Sequence, residues 1–190
     1  MRPKALYLLC LLAAIVLCSS IALAQTEAKK SSEDKRSPIV KETESSWKRA
    51  KKWTLDYVDA MPEGAMAFKP TPEIRSFSEQ MLHLAYWNYG LSEAITGKAN
   101  PFGKKQESIE VRDDLKTKAA LRKVVEDSYD NLLMAIAGLD ESKMLDQVSF
   151  FNSKFTRLTV LSIALDHQTH HRAQTTIYLR LKGITPPPEP

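Results

Sequence analysis

Three of the four histidines in this chain fall within ten residues near its C-terminal end, Leu165-Asp166-His167-Gln168-Thr169-His170-His171-Arg172-Ala173-Gln174. In a helix, residues four apart project from one face about one turn apart, so His167 and His171 point the same way while His170 lies to one side. Two imidazoles at that spacing can hold one metal ion between them, as in other helical two-histidine sites. The fourth histidine, His83, stands beside an apolar stripe, where a buried imidazole needs a hydrogen-bond partner or a metal. Joined to His167 and His171, it would complete three neutral imidazoles with water at an open position. That donor set suits a divalent transition metal such as zinc or nickel and resembles catalytic more than structural sites. Spacing alone also admits a plainer reading. The C-terminal histidines can be ordinary polar residues on a partly exposed helix, and His83 a hydrogen-bonded core residue.

The elements that must carry these residues are helical. Residues 45–60 repeat Trp47, Ala50, Trp53/Thr54 and Tyr57/Val58 at three- and four-residue spacing, and Pro62-Glu63-Gly64 ends the pattern. Ser76-Phe77-Ser78-Glu79 is a capping box that opens a second helix carrying Phe77, Met81, Leu84, Trp87, Leu91 and His83, closed by Gly97. A third helix is expected over residues 113–139, with Asp113 and Asp114 at its positive end. The 139–155 connection should pack Phe150, Phe151 and Phe155 against the bundle edge. The fourth helix, residues 156–181, ends at Gly183 with Pro186-Pro187-Pro188 beyond. Its inward row reads Val160, Ala164, His167, His171, Gln174/Thr175, Tyr178. With no strand-period stretch in view, the expected fold is all-α, four helices in one bundle.

The N-terminal end sets the compartment. Met1-Arg2-Pro3-Lys4, an apolar run from Ala5 to Leu17 and the small-x-small site Ala22-Leu23-Ala24 form a secretory signal peptide, with cleavage expected after Ala24. An uncleaved anchor is the competing reading of this run. Residues 25–44, rich in Lys, Glu, Ser and Asp, read as a disordered leader, the domain as 45–187 and the tail as 188–190. Removing Arg2 and Lys4 with the signal takes the formal charge from +4 to +2. With no concentrated basic face, nucleic-acid binding has little support, and no stable membrane insertion is expected after cleavage. Both cysteines, Cys10 and Cys18, leave with the signal. The mature chain, secreted or periplasmic, would then have no disulfide, thiolate ligand or cysteine nucleophile.

Two regions carry a family resemblance. Phe68-Lys69-Pro70-Thr71-Pro72-Glu73 running on to Ser76-Phe77-Ser78-Glu79-Gln80-Met81-Leu82-His83, and Asp166-His167-Gln168-Thr169-His170-His171-Arg172-Ala173-Gln174 followed by Tyr178-Leu179-Arg180-Leu181-Lys182-Gly183, resemble the DinB-like superfamily of metal-dependent proteins. The resemblance implies a four-helix bundle with up-down-down-up connectivity. It places the metal triad on His83, His167 and His171. One departure is Ala173, where the family often has glycine, and alanine favours the helix. Around the triad, Glu79 is a candidate outer-sphere partner or general base that its capping role already explains. Arg172 is expected to bridge helices rather than bind a substrate anion, and Gln174 and Tyr178 are candidates to line the pocket. Characterised relatives include thiol-dependent S-transferases and a mycothiol-dependent isomerase. The implied activity is therefore a metal-dependent hydrolase or thiol S-transferase of unknown small-molecule substrate, with a non-catalytic envelope metal- or ligand-binding bundle as the alternative. A homodimer through Trp47, Trp53 or Trp87 is a further option, although core or edge packing is the expected role of all three.

Overall fold

The computed structural model describes residues 36–105, 107–150 and 153–189, with the side chain of Glu107 excepted. The expected signal peptide, the leader as far as residue 35 and Phe151 lie outside the described residues. Four long helices form the domain: α1 (Pro38–Ala60), α2 (Phe77–Thr96), α3 (Lys118–Ala137) and α4 (Arg157–Leu181), with a single helical turn at Glu107–Glu110 between α2 and α3. Among the described residues, no helix is long and apolar enough to cross a membrane.

The helix ends follow local chemistry. At α2 both halves of the capping box are made, Ser76 Oγ accepting from the Glu79 amide and Glu79 accepting from the Ser76 amide. Gly97 closes the helix at φ 75°, a left-handed conformation that costs glycine little. The start of α1 corrects the expected boundary. Residues 38–44, read as leader, are helical, because Ser37 caps the Val40 amide, Pro38 occupies the first turn and Val40 is buried with Trp47. The third helix is likewise trimmed. Asp113 and Asp114 sit in a separate 3-10 turn, and Thr117 caps α3 through the Ala120 amide.

The α3–α4 connection also departs from expectation, since it contains a hairpin of β1 (Gln147–Phe150) and β2 (Ser153–Thr156). The strands pair antiparallel with Val148 opposite Phe155 and Phe150 opposite Ser153. Val148, Phe150 and Phe155 pack against the helical core. A half-buried alternation only four residues long is too brief to stand out from a loop in sequence.

Contacts between helices fix the direction of each. Lys51 meets Asp130 and Arg122 meets Asp59, so α1 and α3 run antiparallel. Gln80 meets Gln174 and Gln168 reaches the Leu84 carbonyl, so α2 and α4 are antiparallel. Tyr57 meets Thr176 and Arg172 stacks on Trp53, making α1 and α4 parallel, while Glu79–Lys116 and Asn88–Ser128 align α2 with the chain entering and running along α3. The bundle is up-down-down-up. That order leaves α2 and α3 parallel, so the chain between them must cross the length of the domain.

Deep in the bundle, one polar tie spans all four helices. Thr54 of α1 bonds Tyr129 of α3 at 2.9 Å, Tyr129 donates to Gln168 of α4 at 2.9 Å, and Gln168 donates to the Leu84 carbonyl of α2 at 3.4 Å. Apolar residues including Trp47, Phe77, Leu82, Leu84, Leu121, Leu132 and Ile136 close around it.

Candidate metal centre

Antiparallel packing of α2 on α4 sets His83, two turns into α2, opposite the His167/His171 row. The Nε2 atoms of His83 and His167 stand 3.2 Å apart. Ring centroids of His171 lie 4.4 Å from both His83 and His167. One ring nitrogen from each of the three falls within 4.8 Å of the others, a grouping that could hold a metal ion. His83 is 5% and His171 9% exposed, while His167 is half-buried.

The far nitrogens decide what the near ones present. His83 Nδ1 lies 2.9 Å from Glu110 Oε1, and His171 Nδ1 lies 2.8 Å from Gln80 Oε1. A carboxylate and an amide oxygen only accept, so each Nδ1 carries a proton, and in the neutral ring the lone pair is then left to Nε2. The two supports belong to one continuous arc. Arg75 Nε donates to Glu110 Oε2 at 2.9 Å, Tyr178 donates its hydroxyl to the Arg75 carbonyl at 2.6 Å, and Gln80 Nε2 reaches the Tyr178 oxygen at 3.4 Å. His167 stands outside the arc, its Nδ1 buried without a hydrogen-bond partner.

Electrostatics keep these donors available. Burial, and then the neighbouring His83, His170 and Arg75, lower the His167 pKa to about 4. Burial and the surrounding His83, His167, His170 and Arg75 lower His171 to about 3. Both rings are therefore neutral at neutral pH. Burial pushes the Glu110 carboxyl up, but hydrogen bonds from His83 and Arg75 outweigh it and hold the group below its usual range.

The donor set fits a divalent transition metal. Two imidazole nitrogens each about 2.0–2.1 Å from one ion must lie roughly 3–4 Å from each other, the range in which the His83–His167 pair already stands. Without a proton or a cation between them, two lone pairs at that separation repel. Among the described residues no further His, Cys, Asp or Glu joins the group, so three protein donors would leave a coordination position open.

The other residues singled out in the sequence scatter around this centre. Glu79 is engaged elsewhere: its carboxylate is taken by the Ser76 amide and by Lys69 at 3.1 Å, and the carboxylate that meets the histidines is that of Glu110. Arg172 points elsewhere, gripping Glu189 with Nε and Nη2 at 3.0 and 2.9 Å and stacking on Trp53, which makes it a bridge from α4 to α1 and the tail. Gln174 accepts from Gln80 at 2.8 Å and contacts His170 Nε2 at 2.9 Å. Tyr178 packs edge-on to Phe68 and Phe77 while its hydroxyl closes the arc. His170 is exposed. Trp87 forms a wall, its ring 5.0 Å from His167 and 6.3 Å from Phe150 of the hairpin.

Gln80, Arg75 and Glu110 escaped the sequence reading. Gln80 precedes His83 by three positions and so shares its helix face, a usable signal. Glu110 offered none, because it arrives from the long crossing segment.

Known proteins bear out this architecture. A family model described as the DinB family matches residues 33–189. The chain is 25% identical over 133 residues to the uncharacterized protein YjoA of Bacillus subtilis, covering 70% of this chain and 83% of that one. Its fold is similar to the crystal structure of a DinB-like protein from Bacillus cereus, with TM-score 0.63, 17% identity and coverage of 76% of this chain and 93% of that one. The crystal structure of YjoA is similar too, with TM-score 0.62, 16% identity and coverage of 77% and 95%. With the bundle, its crossing connection and the three converging histidines all in place, and a match that takes in every described residue, the chain belongs to the DinB family.

Proposed function

We propose that this protein is exported and uses His83, His167 and His171 to hold one divalent transition metal, zinc or nickel, as the centre of a hydrolase or thiol S-transferase acting on a small molecule. One observation carries the reading: the Nε2 atoms of His83 and His167 stand 3.2 Å apart while the Nδ1 atoms of His83 and His171 are tied down by Glu110 and Gln80. A metal held there supplies Lewis acidity, lowering the pKa of a bound water or thiol toward neutrality. The chain's own part is to keep His167 and His171 neutral, to orient His83 and His171 through Glu110 and Gln80, and to wall the centre with Trp87 and Phe150. Imidazole ligands bring no negative charge to a divalent ion, and the charges of Glu110 and Arg75 offset each other, so the centre favours an anionic group at the open position. Thiol transfer matches a mature chain without cysteine. Hydrolysis matches the compartment, where small thiols are scarce.

Burial of His83 and His171 favours a second reading, a non-catalytic binding module, in which the remaining position is closed to solutes. Elemental mass spectrometry on protein spanning residues 25–190, purified without chelator, tests the shared foundation. About one equivalent of transition metal is expected in the parent and none in His83→Ala. Equal metal in both, or none in the parent after addition of zinc or nickel, removes the proposal. Perturbation of a cobalt-substituted visible spectrum by a small thiol or azide then separates an open position from a closed one.

A further inference from the structure

The outer hydrogen bonds make the three histidines unequal. His83 leans on a carboxylate, His171 on an amide oxygen, and His167 Nδ1 on nothing. The carboxylate is also held from its other side. Glu110 is gripped on its other oxygen by Arg75, whose own backbone carbonyl is fixed by Tyr178 of α4, and its side chain is 13% exposed. It comes from the last residue of the one-turn helix in the crossing segment, an element that contributes no metal donor of its own.

We propose that Glu110 is the positioning residue of this centre, holding His83 in the Nδ1–H tautomer so that its Nε2 is the strongest of the three donors. The proposal rests on the metal-site reading for its purpose. A carboxylate behind a ligating imidazole fixes ring orientation and raises donor basicity, and removing such a partner typically costs about 10–100-fold in metal affinity. Gln80 gives His171 the same orientation without the charge, and His167, lacking either, is the weakest ligand. The segment demanded by the parallel arrangement of α2 and α3 thus also serves the centre.

Two measurements test this on the full chain with Glu110→Ala and Glu110→Gln. The first is nitrogen-15 NMR of the His83 ring in metal-free protein at about pH 8, where an unperturbed imidazole is neutral. The parent and Glu110→Gln, whose amide oxygen still accepts, are expected to show a proton on Nδ1, and Glu110→Ala to lose that preference. The second is zinc affinity by chelator competition, expected to fall about 10–100-fold in Glu110→Ala and to be partly restored in Glu110→Gln. An unchanged His83 tautomer in Glu110→Ala, or zinc affinity within about twofold of the parent in a variant whose circular dichroism is native, overturns the role. Failure of the parent itself to bind zinc would instead sink the metal reading, and the tautomer alone would then decide whether Glu110 orients His83.

Discussion

Two polar layers of the interior sit side by side on α4, at Gln168 and at its neighbour His167. In the first, Thr54, Tyr129, Gln168 and the Leu84 carbonyl draw on all four helices and satisfy one another. In the second, the three histidines come from α2 and α4 alone, and the protein partners the outer nitrogens of His83 and His171 while the Nε2 atoms of His83 and His167 face each other. A buried polar network that closes on itself fixes the packing of a bundle. One that leaves lone pairs converging on a point keeps room for something the chain does not supply. Polarity in the core is therefore a poor guide to a site, whereas the direction of unspent lone pairs is a good one.

Disabling the closed layer should have the largest effect on stability. Tyr129 is fully buried, packs against Trp47 at 6.2 Å, and has its phenol pushed up to about 12 by burial. Tyr129→Ala leaves a cavity and two orphaned partners and should cost about 3–5 kcal/mol in urea unfolding. Zinc stoichiometry measured below the unfolding transition should stay at that of the parent. A Tyr129→Ala protein that keeps its stability would mean the layer is not the tie described above.

A pH titration touches the open layer more gently. In metal-free protein, His167 and His171 accept protons only near 4 and near 3 when folded, against about 6.5 when unfolded. Between those values the unfolded chain binds more protons, so stability is full above about pH 6.5 and declines as pH falls toward the folded values. The slope should not exceed about 1.4 kcal/mol per pH unit for each histidine. Thermal melts from pH 8 to pH 4 check it, and replacing both histidines with Gln should flatten the profile. A flat profile in the parent would show that the two rings are not held neutral.

The smallest effect is expected at His170, which is exposed beside the layer rather than in it. His170→Ala should change stability by less than about 0.5 kcal/mol and leave zinc stoichiometry unaltered. Loss of metal in this variant would put the wrong histidine in the centre.

The comparison also explains what could be read from the chain before its fold was known. Four helices were legible because each carries a long apolar period and most end on strong local signals, such as Ser76 with Glu79, Gly97 and Gly183. The missed start of α1 was legible too, in Ser37-Pro38, but a charged stretch masked the buried Val40. The hairpin was hidden because its strands are four residues long. Within the site, the i, i+4 spacing on one helix and the family resemblance brought His83, His167 and His171 together. Glu110 could not be found in the same way, since it meets His83 across 27 positions through a segment with no period of its own.

The indole of Trp87, 5.0 Å from the His167 ring, has an optical consequence. Its emission depends on what the neighbouring imidazole holds. An open-shell ion such as nickel or copper at the centre quenches an indole at this range, whereas zinc, with its filled d shell, does not. Trp87 also lies 6.3 Å from the His83 ring, so its emission would be expected to report on loading. Were a metal taken up by the three histidines, Trp87 would be an intrinsic fluorophore placed to follow its arrival and departure in real time, with no label attached.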